Sequence, residues 1–190
     1  SGVVIGSNNT EEFLIADVDN DNDPDVISIT DWGTGCRVYL NNGSGNLTDS
    51  GQVLGVEGGK SGQAGDMNGD GSIDIIVSGS GNPNRVFLND GTGVFSLYQE
   101  FGGTGMKTSV SLGDVDSDGD LDAFFGVYSS PYNQVWFNDG TGTLTLGPQV
   151  FDWKNCWYVE LGDMDGDGDL DAFSGNGGDS DQVIYNDGTG

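Results

Sequence analysis

The sequence predicts an all-β fold, a β-propeller built of four-stranded antiparallel blades. Three observations predict it. A nine-residue acidic loop recurs at a spacing of 48–49 residues, starting at Asp17, Asp66, Asp114 and Asp163. An Asn-Asp-Gly or Asn-Asn-Gly turn follows each loop, 23 or 24 residues after its first aspartate, in "YLNNGSGNL", "FLNDGTGVF", "WFNDGTGTL" and "IYNDGTG". Short apolar runs rich in β-branched and aromatic residues separate these turns, and 35 glycines leave little room for helix. Repeated units of four short strands at this period pack around an axis, because one such sheet alone cannot cover both its faces.

The third repeat shows the elements in order. A first strand is expected at about Thr108–Gly113, then the acidic loop "DVDSDGDLD". A second strand, about Ala123–Tyr128, is almost continuously apolar, as a strand covered on both faces should be. A variable loop leads to a third strand, Gln134–Asn138, and the Asn-Asp-Gly-Thr-Gly hairpin to a fourth, about Leu144–Phe151. Asn and Gly are expected to supply the positive φ of that hairpin. The repeats divide the chain at 10–57, 58–105, 106–154 and 155–190, in a single propeller domain or segment of one. "SGVVIG" at 1–6 aligns with "SGQVLG" at 50–55, a fourth-strand sequence. Val3, Val4 and Ile5 are therefore expected to complete the last blade beside Gln182–Asn186, in the same chain or in a second copy.

The loop carries the chemistry. Five aspartates alternate in "GDVDSDGDLDAFFG", and carboxylates about 5 Å apart repel by roughly 1 kcal/mol in water and by more near an apolar wall. Apolar segments on both sides exclude a solvated acidic tail. A compact loop of this kind needs a counter-ion, and Ca²⁺ takes six to eight hard oxygen ligands. Side chains at positions 1, 3 and 5 point to one side, glycine at position 6 makes the turn, a carbonyl at position 7 can ligate, and the carboxylate at position 9 closes the shell. The loop starts as an EF-hand loop does, but Phe125 stands at position 12 where that loop has Glu, and strands rather than helices flank it.

These residues resemble the FG-GAP/VCBS repeat family, which includes the calcium-loop blades of integrin α-subunit propellers. The resemblance spans essentially the whole chain. It implies that the loop joins the inner strand of a blade to its neighbour on one face of the disc. It also implies a noncatalytic, extracellular role in binding or adhesion. The matching positions are Asp17, Asp19, Asp21 and Asp25; Asp66, Asn68, Asp70 and Asp74; Asp114, Asp116, Asp118 and Asp122; and Asp163, Asp165, Asp167 and Asp171. Asp23, Ser72, Asp120 and Asp169 hold position 7. About four Ca²⁺ sites are expected. Asn22 replaces the position-6 glycine and Asn68 a position-3 aspartate, so the first two sites are expected to bind more weakly.

Charge bounds the partners. There are 31 acidic residues, 5 basic ones and no histidine, for a net charge of −26. Four bound Ca²⁺ would still leave −18, which argues against nucleic acid or anionic membrane as a partner. No apolar run is long enough to span a bilayer, and membrane insertion is not expected; the chain reads as a mature or excised segment, extracellular or at the cell surface. Without histidine the usual general base is missing, the aspartates are committed to metal, and nothing in the spacing of Asp152 and Glu160 supports a glycosidase pair. The chain is not expected to be an enzyme.

The variable loops opposite the calcium loops carry Trp32, Tyr128, Tyr132, Trp153 and Trp157. Trp32, Trp153 and Trp157, beside Asp31 or Asp152, are the candidate ligand contacts. The alternative is that they plug the centre of the ring. Cys36 and Cys156 form either a disulfide between neighbouring blades or two buried thiols. The expected function is a calcium-binding recognition or adhesion module with a protein or glycan ligand. The alternatives are a carbohydrate-binding lectin, or a structural repeat of a larger secreted protein that self-associates by strand exchange.

Overall fold

The structure, a computed structural model, describes residues 5, 9–31, 35–55, 58–102, 105–128, 132–148, 151 and 155–190. It contains β1 (Thr10–Ala16), β2 (Asp25–Thr30), β3 (Cys36–Asn41) and β4 (Leu47–Leu54) in the first sheet. The second has β5 (Gly59–Gly65), β6 (Asp74–Gly79), β7 (Asn84–Asn89) and β8 (Phe95–Phe101). The third has β9 (Met106–Gly113), β10 (Asp122–Tyr128), β11 (Gln134–Asn138) and β12 (Leu144–Leu146). The last has β13 (Cys156–Gly162), β14 (Asp171–Asn176) and β15 (Gln182–Ile184). Each sheet is an antiparallel meander in chain order. These are propeller blades, and no helix occurs among the described residues.

The apolar second strands pack as their composition requires. Ile75 and Val77 of β6 join Leu14, Ile27, Ile29 and Val38 in a core between the first two blades. Ile76, between them in sequence, points the other way and joins Val86, Phe101, Val110 and Phe125 between the second and third. Alternation therefore sends successive residues of one strand into two different cores, so neither face can be polar. A third core holds Phe124, Val135, Val159 and Ala172 between the last two blades. The first strands stand side by side, β1 on β5, β5 on β9 and β9 on β13.

Two expectations meet a different outcome, and the alternatives left open for the cysteines are resolved. The fourth strand of the third blade, β12, is only Leu144–Leu146, and Phe151 lies beyond it in an isolated bridge to Asn133. The hairpins form, but their positive φ sits on two glycines, Gly91 and Gly93 or Gly140 and Gly142, while the asparagines keep ordinary strand geometry. Cys36 and Cys156 are free buried thiols in two separate cores. Val3 and Val4 lie outside the described residues, and the last sheet has three strands among those that are described.

Candidate metal centre

Each acidic loop links the first strand of a blade to its second, and its aspartates divide the work. The position-1 carboxylate folds the loop. Asp17 accepts the amides of Asp21 and Asn22, Asp66 those of Asp70 and Gly71, and Asp114 those of Asp118 and Gly119. The position-5 carboxylate accepts the amide two residues on, as from Asp23 to Asp21 (2.9 Å). Position 6 is left-handed throughout, including Asn22 at φ 69°, so asparagine does there what glycine does elsewhere. Position 4 is left-handed as well, at Asn20, Gly69, Ser117 and Gly166; alternate-residue reading of the loop gave no reason to single it out.

Position 9 is the knot of each blade. Asp25, Asp74, Asp122 and Asp171 have no exposed surface. In each, Oδ2 accepts the amide of loop position 2, from Val18, Met67, Val115 or Met164, at 2.8–3.0 Å. Oδ1 accepts the amide of the hairpin asparagine, from Asn41, Asn89, Asn138 or Asn186, at 2.7–2.9 Å. The near-constant spacing between loop and hairpin, 15 or 16 residues in the four repeats, thus has a cause. One buried carboxylate ties them together.

The loops bring together carboxylates from positions 1, 3 and 9. Ligand atoms of Asp17, Asp19 and Asp25 lie within 4.8 Å of one another, as do those of Asp114, Asp116 and Asp122, and of Asp163, Asp165 and Asp171. Position 5 stands outside these triads, its carboxylate engaged in the turn. In the second loop Asn68 occupies position 3, where its amide bonds to Asp70 (2.9 Å); no such triad forms there among the described residues. The position-7 side chains hang over the hairpin glycines. A Cβ at Gly43, Gly140 or Gly188 would collide with Asp23, Asp120 or Asp169.

The electrostatics ask for a cation. Burial, followed by the charges of Asp25, Asp21 and Asp17, pushes Asp19 above the usual carboxylate range. Burial likewise raises Asp74, Asp116 and Asp165, and it pushes Asp122 up to about 6 despite the amides that bond it. Asp19 Oδ1 is buried without a hydrogen-bond partner. Three oxygens converging on one point, one of them orphaned, fit a hard divalent ion. Such an ion would be held by the position 1, 3 and 9 carboxylates and would cancel their repulsion.

The model of the FG-GAP-like repeat matches residues 17–77, 66–125 and 114–174. The chain belongs to the FG-GAP-like repeat family. Each matched span starts on the position-1 aspartate of one loop and runs past the next loop, so the family unit is offset from the blade. No curated protein matches the chain. Among solved structures, it resembles a lectin of Agrocybe aegerita, titled as specifically recognising non-reducing terminal N-acetylglucosamine (TM-score 0.60, 21% identity, 93% of this chain and 52% of that one). It also resembles BBS1N crystallised with ARL6DN (0.57, 11%, 95% and 58%) and the Photorhabdus luminescens Tc holotoxin pore (0.52, 17%, 90% and 9%). At these identities the likeness is one of fold. The FG-GAP-like chain spans about half the length of the first two structures.

At the opposite end of the blades, the starts of all four first strands surround a cavity of about 300 Å³. Glu11, Glu12, Lys60, Ser61, Met106, Trp157 and Tyr158 are among its lining residues. Lys60 pairs with Asp31 (2.5 Å) and Glu11 (3.0 Å), which hold its ammonium above the ordinary lysine range against the cost of burial. Trp157 is half exposed, tilted against Tyr128 at 4.8 Å. Gly177 leaves room for its indole, since a Cβ there would overlap Nε1. Asp31 is nearly buried in its ion pair, and Trp32, Asp152 and Trp153 lie outside the described residues. Of the expected aromatic contacts, the structure describes Trp157 alone, and it sets it on this cavity.

Proposed function

We propose that this FG-GAP-like protein is a calcium-stabilised, noncatalytic recognition module that works outside the cell. The observation that carries the reading is the threefold recurrence of a carboxylate triad at positions 1, 3 and 9, each buried at its base and none with a basic side chain bonded to it among the described residues. Oxygen-only ligands in a flexible loop suit Ca²⁺ better than softer metals. An ion that binds only the folded loops stabilises the fold by mass action. Calorimetric melting with Ca²⁺ and with EDTA tests this, together with a count of bound ions by isothermal titration. At least three ions and a lower melting temperature in EDTA are expected; an unchanged melting temperature overturns the reading. The charge of −26 favours a protein or glycan partner over nucleic acid or membrane.

A lectin role is the second reading, favoured by the cavity at the blade starts. A half-exposed indole beside carboxylates offers a stacking face and acceptors for sugar hydroxyls. The fold it shares with a lectin adds support. A glycan array with and without Ca²⁺ tests it. Binding should be lost in Trp157→Ala and in Gly177→Ala, which displaces the indole, with the melting temperature of each variant kept. Binding that survives both variants removes the cavity from consideration.

A further inference from the structure

We propose that the junction between the second and third blades holds a small monovalent anion of chloride size, between the Lys107 ammonium and the Asn84 side-chain amide. Lys107 is the second residue of β9 and is 1% exposed, yet its Nζ has no hydrogen-bond partner among the described residues. Asn84 starts β7 on the neighbouring blade and is fully buried; its Oδ1 accepts the Gly79 amide, while its Nδ2 has no partner among the described residues. The two orphaned donors face the same small space. A Cβ placed on Gly102 would lie 3.2 Å from Asn84 Nδ2, 3.5 Å from Lys107 Nζ and 3.6 Å from Trp136 Cζ2. Glycine at 102, with φ 63°, spares the two donors the close contact that a side chain would make.

The donor set selects the ligand. An ammonium and an amide N–H₂ offer only protons. A cation is repelled there. A water would accept from both donors but would bring no charge to balance the ammonium. An anion accepts from both donors and balances the charge. In a chain with 31 acidic residues, burial alone governs Lys107, depressing its protonation with no carboxylate to offset it. A buried charge of that kind is costly without a counter-ion.

The site is not part of the repeated scaffold. Seven residues before the first loop aspartate, the other blades carry Thr10, Gly59 and Cys156 in place of Lys107. Five residues before the hairpin asparagine, they carry Cys36, Asn133 and Asp181 in place of Asn84. The amide-capping duty of Asn84 is kept by Asn133, which accepts from Val127, and by Asp181, which accepts from Asn176. Only the junction of the second and third blades combines this cap with a lysine.

The fold therefore already accepts aspartate at the cap, and this supplies the test. Crystals soaked in sodium bromide should show an anomalous peak between Lys107 and Asn84. At fixed ionic strength, the protein should melt about 2–4 °C higher in sodium chloride or bromide than in sodium gluconate, the size of shift a weakly bound ion gives a chain of this length. Lys107→Met should lose the difference. Asn84→Asp should also lose it and melt above the parent in gluconate, since its carboxylate replaces the anion. If Lys107→Met does not fold, Asn84→Asp decides. An absent bromide peak, or an equal halide response in the parent and in Asn84→Asp, overturns the proposal.

Discussion

Asp122 has two duties under the proposed function, one to the calcium ion and one to the backbone. Its two oxygens hold the amides of Val115 and Asn138 while it also faces Asp114 and Asp116. Asp122→Ala should therefore destabilise the protein by about 3 kcal/mol even in EDTA, because two buried amides lose a charged acceptor; denaturant unfolding in EDTA measures it. Asp116→Ala, which anchors no strand, should cost far less in EDTA and most of its effect should appear with Ca²⁺. Acid separates the two roles as well. The Asp122 carboxyl, pushed to about 6 from an unfolded value near 3.8, contributes stability to the metal-free protein that is fully present below the unfolded value and is lost as pH rises through 6. Metal-free protein should melt higher at pH 5 than at pH 7. With Ca²⁺ the order should reverse, since protons then displace the ion; melting scans at both pH values, with Ca²⁺ or EDTA, show either pattern. Ser117 is a simpler case. At φ 62° it holds a conformation that glycine takes at the same position in the second and fourth loops, so Ser117→Gly should gain about 0.5 kcal/mol.

The loop and hairpin were legible in the sequence, but their relation was not. Alternating aspartates announce a metal loop from nine adjacent residues, and glycines announce a turn from five. The asparagine before the turn has partners far along the chain. Asn89, Asn138 and Asn186 each send one side-chain N–H₂ both to the carbonyl before their own position-9 aspartate and to the position-2 carbonyl of the preceding blade's loop, at Val18, Met67 and Val115. A partner 71 residues away leaves no local trace, so the residue reads only as a turn former. Gln52 and Gln99 do the same on the outer rim. Gln99 gives its Nε2 to the Leu144 carbonyl and takes the Leu144 amide on Oε1, and Gln52 binds the next hairpin through Gly93 and Phe95. Asn138→Ala should cost about 3 kcal/mol, as two buried carbonyls and the Gly142 amide lose their partner. Gln99→Ala, at a part-buried rim, should cost about 1 kcal/mol. Urea unfolding ranks the two, and a reversed order would place the main inter-blade bond at the rim.

For the molecule as a whole, the repeat pattern also explains which apolar residues stay exposed. Val110 and Val159, four residues before their loops, pack against the preceding blade; Phe13 holds the same position in the first blade and is about half exposed, with Ile15 beside it more so. At the other end, Phe173, Val183 and Tyr185 stand where Ile27, Val38 and Leu40 of the first blade meet the second. The sequence predicted the blades because each repeat states its own strands; it could not state what covers these two faces, because an apolar strand position encodes burial and not the identity of the group that buries it. Replacing Phe13 and Ile15 by Ser and Lys should lower association measured by light scattering and leave the melting temperature within about 2 °C, as surface changes do. A large loss of stability would mean that the first face is covered in solution.

The backward reach of the hairpin asparagine has a consequence for how such a chain can change in evolution. Every copy presents the same carbonyl to its successor and the same amide to its predecessor, so a cut and rejoin between equivalent aspartates of two loops splices like onto like. A whole unit can be dropped or doubled there with every bond of this kind re-formed. A crossover elsewhere in the repeat must also match strand lengths and variable loops. The aspartate that opens each loop is therefore the natural seam of the array, although it lies in the middle of a sheet and not at its border.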